Sequence, residues 1–517
     1  MERKRAVLIL AIAVALSALS VGWTDIQAAE SVTDWAYPNG DSRNTAALNH
    51  VFGAPLGAPV LAWQLESPAP HRFWGSYGTD VVISDTDNDS ELEIVVAQGR
   101  GFSAPQRLSC RSLRNGDEEW AFELDEGENV QDASPNILDL DGDGFPEVLS
   151  GAGDRVIALD GVTGTLKWET DLPVPMCLIG ESFSQDGEAD VFTSSYYGDK
   201  LCYRLNGETG TIVWSSPSGG GSAYNAPAVA DIDGDGQLEI LFHVHEFNPS
   251  REMEVCMAPD GNVVWRFAAT PSREQSEQSP PELGWTPDFG YVSSIVGDFT
   301  ADGVNEVFFA TRCNAYVLTS TGRLLWKTPL AEGYGVMIQR EADGSEVADI
   351  HGTGGNNDFA AAGDLNGDGA LDAVLGLDPE YRSTWYRDSG VVTYTDVRRN
   401  NRIVVLDGRS GETLWEFEGR YVSEQGLEEM RQPILVDLDG DGLLDVIALS
   451  TDGTLYGLRG VDGERLWSKP LPSTDSQLVA GSAEGKRLYI LVIALEEGGT
   501  PSTLTCYILE EGVGSEN

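Results

Sequence analysis

The sequence predicts an all-β fold: a single eight-bladed β-propeller of four-stranded blades, closed by an N-terminal strand in the last blade. Three observations predict it. A tryptophan ending a short apolar run recurs at Trp63, Trp120, Trp168, Trp214, Trp265, Trp326, Trp415 and Trp467. An Asp-rich turn alternates with it, at 85–93, 139–147, 231–239, 298–306, 364–372 and 437–445, with a degenerate copy at 182–190. The flanking apolar runs are four to six residues long and bounded by Gly, Asp or Asn, which is strand–turn–strand patterning. Most of the tryptophans lie 46 to 61 residues apart, the period of a four-stranded blade.

The elements follow in chain order. Arg3, Lys4 and Arg5 precede an apolar stretch from Ala6 to about Trp23, with small residues at Ala28 and Ala29. Residues 1–29 therefore read as an export signal, with an uncleaved anchor as the alternative. No cysteine precedes Cys110, so a lipid-modified N-terminal cysteine is excluded. No later segment is long and apolar enough to span a membrane. The expected location is extracellular, cell-surface or periplasmic. Residues 30–60 form a lead-in, 61–511 the propeller and 512–517 a tail. In each blade strand A enters the Asp-rich turn and strand B leaves it. A glycine turn joins strand C to strand D, which carries the tryptophan. After Trp467 the chain supplies strands A to C around 477–509 but no tryptophan strand. Trp63, in Leu61-Ala-Trp-Gln-Leu65, is a tryptophan strand without a blade. Pairing the two closes the ring and covers an edge that would otherwise template aggregation.

Composition agrees. The 517 residues carry a net charge of -50 and a pI of about 4.2. Such a polyanion does not bind nucleic acid by charge neutralisation. Hydrophobic content of 41% and 59 glycines fit a folded, turn-rich chain rather than a disordered one. Lysine stands only at positions 4, 167, 200, 327, 469 and 486, and an acidic, lysine-poor surface also fits adaptation to high salt. Cys110, Cys202, Cys256 and Cys506 occupy equivalent repeat positions, so buried free thiols are expected; Cys177 and Cys313 complete the six.

The Asp-rich turns, as in Asp139-Leu-Asp-Gly-Asp-Gly-Phe-Pro-Glu147, resemble the FG-GAP or VCBS repeats of integrin-α-type propellers. That resemblance implies calcium in an A–B hairpin. The turns Leu159-Asp-Gly-Val-Thr-Gly164, Leu205-Asn-Gly-Glu-Thr-Gly210 and Leu406-Asp-Gly-Arg-Ser-Gly411, each followed by its tryptophan, resemble the tryptophan-docking repeats of PQQ-like propellers. The opening Trp35-Ala-Tyr-Pro-Asn-Gly-Asp-Ser-Arg-Asn-Thr45 is similar to the start of such proteins. The resemblance covers nearly all of the mature chain and is specific for architecture, not for activity.

The residues themselves also point to calcium. A hard cation takes several oxygen ligands, and alternate positions of a tight loop converge on one point. The candidate ligands at positions 1, 3, 5 and 9 are Asp85, Asp87, Asp89 and Glu93; Asp139, Asp141, Asp143 and Glu147; Asp231, Asp233, Asp235 and Glu239; and Asp437, Asp439, Asp441 and Asp445. Two loops are weaker: Asp298, Thr300, Asp302 and Glu306; and Asp364, Asn366, Asp368 and Asp372. The 182–190 copy keeps only Asp186 and Asp190 and is expected to lack a strong site. An EF-hand needs Glu at position 12, where three loops have Ser150, Phe242 and Ala448. About six structural calcium sites are expected.

Strand alternation puts the A–B and C–D turns on one face and the B–C and D–A connections on the other. The long insertions, about 269–291, 332–362 and 378–401, all fall on the second face, where a rigid scaffold displays variable loops. The 378–401 insertion concentrates Tyr381, Arg382, Trp385, Tyr386, Arg387, Tyr394, Arg398 and Arg399. Segments entering the A strands add Tyr77, Tyr224, Tyr291 and Arg431 to this candidate ligand face. His243 and His245 share one face of a strand, as a metal pair or as packed residues. No nucleophile triad, phosphate loop or haem motif emerges. The reading is a non-catalytic, calcium-binding propeller for binding, adhesion or scaffolding, with a protein or glycan ligand. The alternatives are a calcium-dependent polysaccharide lyase resembling rhamnogalacturonan lyases and a quinone-dependent dehydrogenase.

Overall fold

The computed structural model describes residues 32–33, 36–37, 40–50, 52–67, 81–98, 106–125, 135–173, 175–183, 189–195, 201–217, 221–222, 226–247, 250–269, 293–311, 314–330, 335–340, 346–352, 360–377, 380–386, 391–399, 401–419, 433–450, 453–472, 476–494 and 502–512. Residues 1–29, expected to be an export signal, lie outside them.

Eight antiparallel sheets form the ring. In the order A to D, blade 1 is Val81–Ser84, Glu93–Gln98, Arg107–Ser112 and Glu118–Glu123. Blade 2 is Asn136–Leu138, Glu147–Ala152, Arg155–Asp160 and Leu166–Asp171. Blade 3 is Pro175–Glu181, Asp190–Ser195, Leu201–Asn206 and Ile212–Pro217. Blade 4 is Ala228–Ala230, Glu239–Phe247, Ser250–Met257 and Val263–Ala268, with Gly221–Ser222 also paired to its strand B. Blade 5 is Ile295–Gly297, Glu306–Ala310, Asn314–Leu318 and Leu324–Pro329. Blade 6 is Ala360–Gly363, Asp372–Leu377, Arg402–Leu406 and Thr413–Glu418. Blade 7 is Ile434–Val436, Asp445–Ser450, Thr454–Leu458 and Arg465–Pro470.

Blade 8 is Ser476–Glu484, Arg487–Ala494 and Ser502–Glu510, completed by Val60–Ser67 as its outermost strand. Val60 pairs with Ile508 and Ser67 with Ser502, so the first tryptophan strand does close the ring. Strand A of blade 1 lies against the A strands of blades 8 and 2. Val32–Thr33 pairs with the inner edge of blade 8.

The strand patterns follow from position in the blade. Strands B such as Glu93–Gln98 and Asp372–Leu377 are buried throughout, which is why they read as unbroken apolar runs. Strands D alternate, with Trp120, Trp168, Trp326 and Trp415 turned inward. Each D strand carries a bulge at the residue before its tryptophan. The register skips Ala62, Glu119, Lys167, Val213, Val264, Leu325, Leu414 and Leu466. The extra residue re-aims the indole along the strand.

Seven indoles dock on the next blade's C–D turn. Trp63 Nε1 donates to Leu113 O at 2.8 Å, Trp120 to Gly161 O, Trp168 to Gly207 O, Trp214 to Pro259 O, Trp265 to Ser320 O, Trp326 to Gly408 O and Trp415 to Gly460 O. Gly164 and Gly210, both at positive φ, press on the rings of Trp120 and Trp168. A Cβ there would lie 2.5 Å from ring carbon, so only glycine fits. Trp467 is the exception. Blade 8 has no covalent C–D turn, and the Trp467 ring lies over Gly457 of its own blade instead. Its buried Nε1 meets no acceptor among the described residues.

Cys110, Cys202, Cys256 and Cys506 are buried free thiols, and burial pushes the Cys110, Cys256 and Cys506 thiols up. Cys177 and Cys313 lie outside the described side chains. No helix among the described residues is long and apolar enough to cross a membrane.

Candidate functional site

The lead-in does more than enter the ring: its carbonyls bond the inner strands. Backbone N–H groups at the midpoints of the A strands are left over by the blades and need acceptors. Ile137 N–H donates to Ala36 O, Val229 to Ser42 O, Val296 to Arg43 O, Ala362 to Thr45 O and Leu435 to Ala46 O. The lead-in thus meets blades 2, 4, 5, 6 and 7 in turn. Asn44 and Ala46 adopt φ of 61° and 52°, a turn that costs strain outside glycine. Asn44 Nδ2 donates to Ala226 O and Ser294 O, and Asp41 caps Thr45, which hold it. Ala46, Leu48 and Phe52 are buried. A pocket of about 550 Å³ remains between residues 41–50 and the A–B turns of blades 5 to 7.

The six Asp-rich turns share one hydrogen-bond pattern. The first Asp accepts the amide of position 6 at 2.7–3.0 Å in every copy. The position-9 carboxylate accepts the amide of position 2 at 2.8–3.2 Å. The position-5 acids Asp89, Asp143, Asp235, Asp302, Asp368 and Asp441 cap the amide two residues on. Asn88, Ser90 and, in blade 5, Ala301 take φ of 61°, 71° and 57°, where most copies have glycine, so the carboxylates hold the turn against strain.

Positions 1, 3 and 9 converge. Asp85, Asp87 and Glu93 bring ligand oxygens within 4.8 Å of one another, as do Asp139, Asp141 and Glu147; Asp231, Asp233 and Glu239; and Asp437, Asp439 and Asp445. Burial pushes the position-9 carboxyls of Glu93, Glu239, Glu306, Asp372 and Asp445 up to about 7, although backbone amides pull them back in part. Three crowded carboxylates, one of them buried, fit a divalent cation. It would supply the missing counter-charge.

Among the described residues two blades set a cationic side chain on the position-9 carboxyl, while in blade 6 Arg409 pairs with the position-5 acid Asp368 instead. Lys167 Nζ lies 2.5 Å from Asp141 Oδ2 and 2.7 Å from Glu147 Oε1. In blade 3, Arg204 Nη2 pairs with Asp190, the position-9 acid of the degenerate copy. Neither partner was evident from the sequence, because both come from strands C or D, which only the blade's pairing brings to the loop.

On the opposite face the structure joins two insertions that the sequence left separate. Gly335–Arg340 and Glu346–Gly352 pair with Glu380–Tyr386 and Val391–Arg399 in one four-stranded antiparallel sheet. The 378–401 insertion supplies only two of its four strands. Trp385 sits in this sheet, opposite Ala348 on one side and Val392 on the other. Tyr77, Tyr224, Tyr291, Arg387 and Arg431 lie outside the described residues, as do residues 270–291 of the insertion before blade 5.

His243 is not a free ligand. It is buried between Glu252, at 2.8 Å from Nε2, and Glu254, at 3.5 Å from Nδ1. Burial works to lower its pKa, but the two carboxylates raise it to about 9. Ser294 Oγ donates to Glu254 Oε1, which links the group to the lead-in through Asn44.

Comparison with known proteins agrees with the repeat structure. The FG-GAP-like repeat family matches residues 183–242. The PQQ-type family described as outer membrane protein assembly factor BamB matches residues 380–493. No curated protein matches. Among solved structures, a europium-containing methanol dehydrogenase is 14% identical with a TM-score of 0.61, covering 92% of this chain and 98% of that one. The quinohemoprotein alcohol dehydrogenase of Comamonas testosteroni is 16% identical with a TM-score of 0.57, covering 96% and 84%. The V. cholerae biofilm matrix protein Bap1 is 12% identical with a TM-score of 0.52, covering 90% and 91%. At these identities the likeness is one of fold. The chain is an eight-bladed β-propeller with an FG-GAP-like repeat at 183–242 and a PQQ-like segment at 380–493.

Proposed function

We propose that this protein is an exported, calcium-stabilised propeller that binds a protein or glycan on the face opposite its Asp-rich turns and carries out no chemistry of its own. The observation that carries this reading is the composite insertion sheet. Two segments separated by strands A and B of blade 6 pair into an extra sheet, on the face where topology gathers the long connections. Such a sheet adds no closure to the ring, so a recognition role accounts for it best. The lead-in supports the same reading: the chain's own carbonyls at Ala36, Ser42, Arg43, Thr45 and Ala46 take up the inner-strand amides. Calcium at the Asp-rich turns then serves stability. The fold likeness extends to dehydrogenases and to a biofilm matrix protein, and favours neither by itself.

The test is a glycan array and a pull-down with calcium present. Any ligand found is then offered to a variant in which a short turn joins Leu377 to Arg402, and to Trp385→Ala/Arg387→Ala. Lost binding with unchanged melting is expected. Normal binding by both variants would overturn the face assignment. Release of ultraviolet-absorbing unsaturated ends from a pectic polymer would overturn the non-catalytic reading.

A further inference from the structure

The bulge residue before each tryptophan changes its charge in only two blades. It is apolar in blades 3 to 8: Val213, Val264, Leu325, Leu414, Leu466 and Ala62. In blade 2 it is Lys167, one of only six lysines in an acidic chain. The bulge turns this residue away from the regular alternation of the D strand. Its ammonium reaches the A–B turn of its own blade and bonds two of the three converging carboxylates, Asp141 and Glu147. Glu147 is almost fully buried, and Lys167 is three-quarters buried. A divalent ion bound by Asp139, Asp141 and Glu147 would occupy the same oxygens.

We propose that Lys167 is the resident cation of the 139–147 turn, so that this turn holds no calcium although its sequence is among the richest in ligands. The proposal rests on the reading of the other turns as calcium sites. An ammonium tethered to the same blade competes with calcium at high effective concentration and loses no translational entropy on binding. A turn that needs its acidic residues for shape is thereby kept folded at any calcium level. Blade 1 is the counter-example. There the bulge residue is Glu119, whose charge acts on Glu93 and feels Asp87, Asp89 and Glu91. The same position adds a carboxylate to one turn and a cation to the next. It therefore grades the sites in a way the Asp-rich motif alone does not show.

Calcium content per chain, measured by elemental analysis after equilibration in calcium and desalting, tests this. Lys167→Gln should gain one calcium over wild type, and Lys167→Gln/Asp141→Asn should lose it again. Asp141→Asn alone should leave the wild-type count unchanged. The reverse experiment uses the exposed bulge residue of blade 4: Val264→Lys should lower the count by one. An unchanged count in Lys167→Gln, or a loss of one calcium in Asp141→Asn, overturns the proposal. Asp437→Asn separates the two readings. If it loses one calcium while the Lys167 variants behave as wild type, only this inference fails. If wild type holds no calcium at all, the calcium reading fails and takes this one with it.

Discussion

The docking tryptophans offer a comparison in which one fold supplies its own control. Trp168 and Trp467 occupy equivalent positions in blades 2 and 7. Trp168 Nε1 donates to the buried Gly207 carbonyl at 2.7 Å, whereas Trp467 Nε1 is buried without an acceptor among the described residues. Replacing either by Phe removes apolar ring carbons, a loss on the order of 1.5 kcal/mol at about 0.8 per methylene equivalent. At Trp168 it also strands the Gly207 carbonyl, which adds about 1–3 kcal/mol. At Trp467 it removes an unsatisfied donor, which returns about 1–3 kcal/mol. Trp168→Phe should therefore cost about 3 kcal/mol, and Trp467→Phe should fall within about 1 kcal/mol of wild type. Urea unfolding followed by far-ultraviolet circular dichroism reads the difference without relying on the altered fluorophores, provided that the slope is unchanged. Equal destabilisation by the two substitutions would refute the argument that the missing C–D turn of blade 8 leaves Trp467 undocked.

Three further outcomes follow from the same geometry. Deleting residues 30–68 removes the pairing of Val60–Ser67 with Ser502–Glu510 and the carbonyls that accept five inner-strand amides. The product should aggregate on expression, and a soluble monomer of unchanged melting temperature would contradict both roles. Chelation should lower the melting temperature, and the gap between calcium-loaded and chelated protein should narrow as pH falls from 8 to 5.5. The position-9 acids have folded pKa values raised to about 7, so the chelated fold binds protons more tightly than the unfolded chain and gains stability as pH drops through 7. A gap that widens on acidification would refute this. His243→Ala leaves Glu252 and Glu254 buried without the imidazolium and should cost about 3–5 kcal/mol. In the intact protein that stabilisation is complete below 6.5 and disappears as pH rises through about 9. Unchanged stability of the variant at pH 7, by denaturant titration, would show that the pair contributes nothing.

Much of this protein is local in origin and therefore legible. A tryptophan every blade, an Asp-rich turn between two apolar runs, and glycines at positive φ are short-range requirements, each met within about ten residues. They determine the blade count, the strand order, the buried cysteines and the supernumerary Trp63 strand. That strand could be assigned to blade 8 because an open edge and an unpaired strand at opposite ends of a chain have one economical solution. The carboxylates at positions 1, 3 and 9 were likewise visible, since a tight loop brings alternate residues together by itself.

What only the tertiary structure decided is set by contacts between residues far apart in sequence. The 30–60 segment carries no strand pattern, because its backbone answers amides of five separate blades one residue at a time. The pairing of 335–352 with 380–399 crosses two strands of blade 6 and leaves no mark in either segment. Trp467 looks like its seven counterparts, and its missing partner appears only once blade 8 is seen to lack a C–D turn. Lys167 read as one lysine in a D strand. A bulge three strands away from the Asp-rich turn sets its ammonium among the carboxylates, because charge acts through space while motifs are read along the chain.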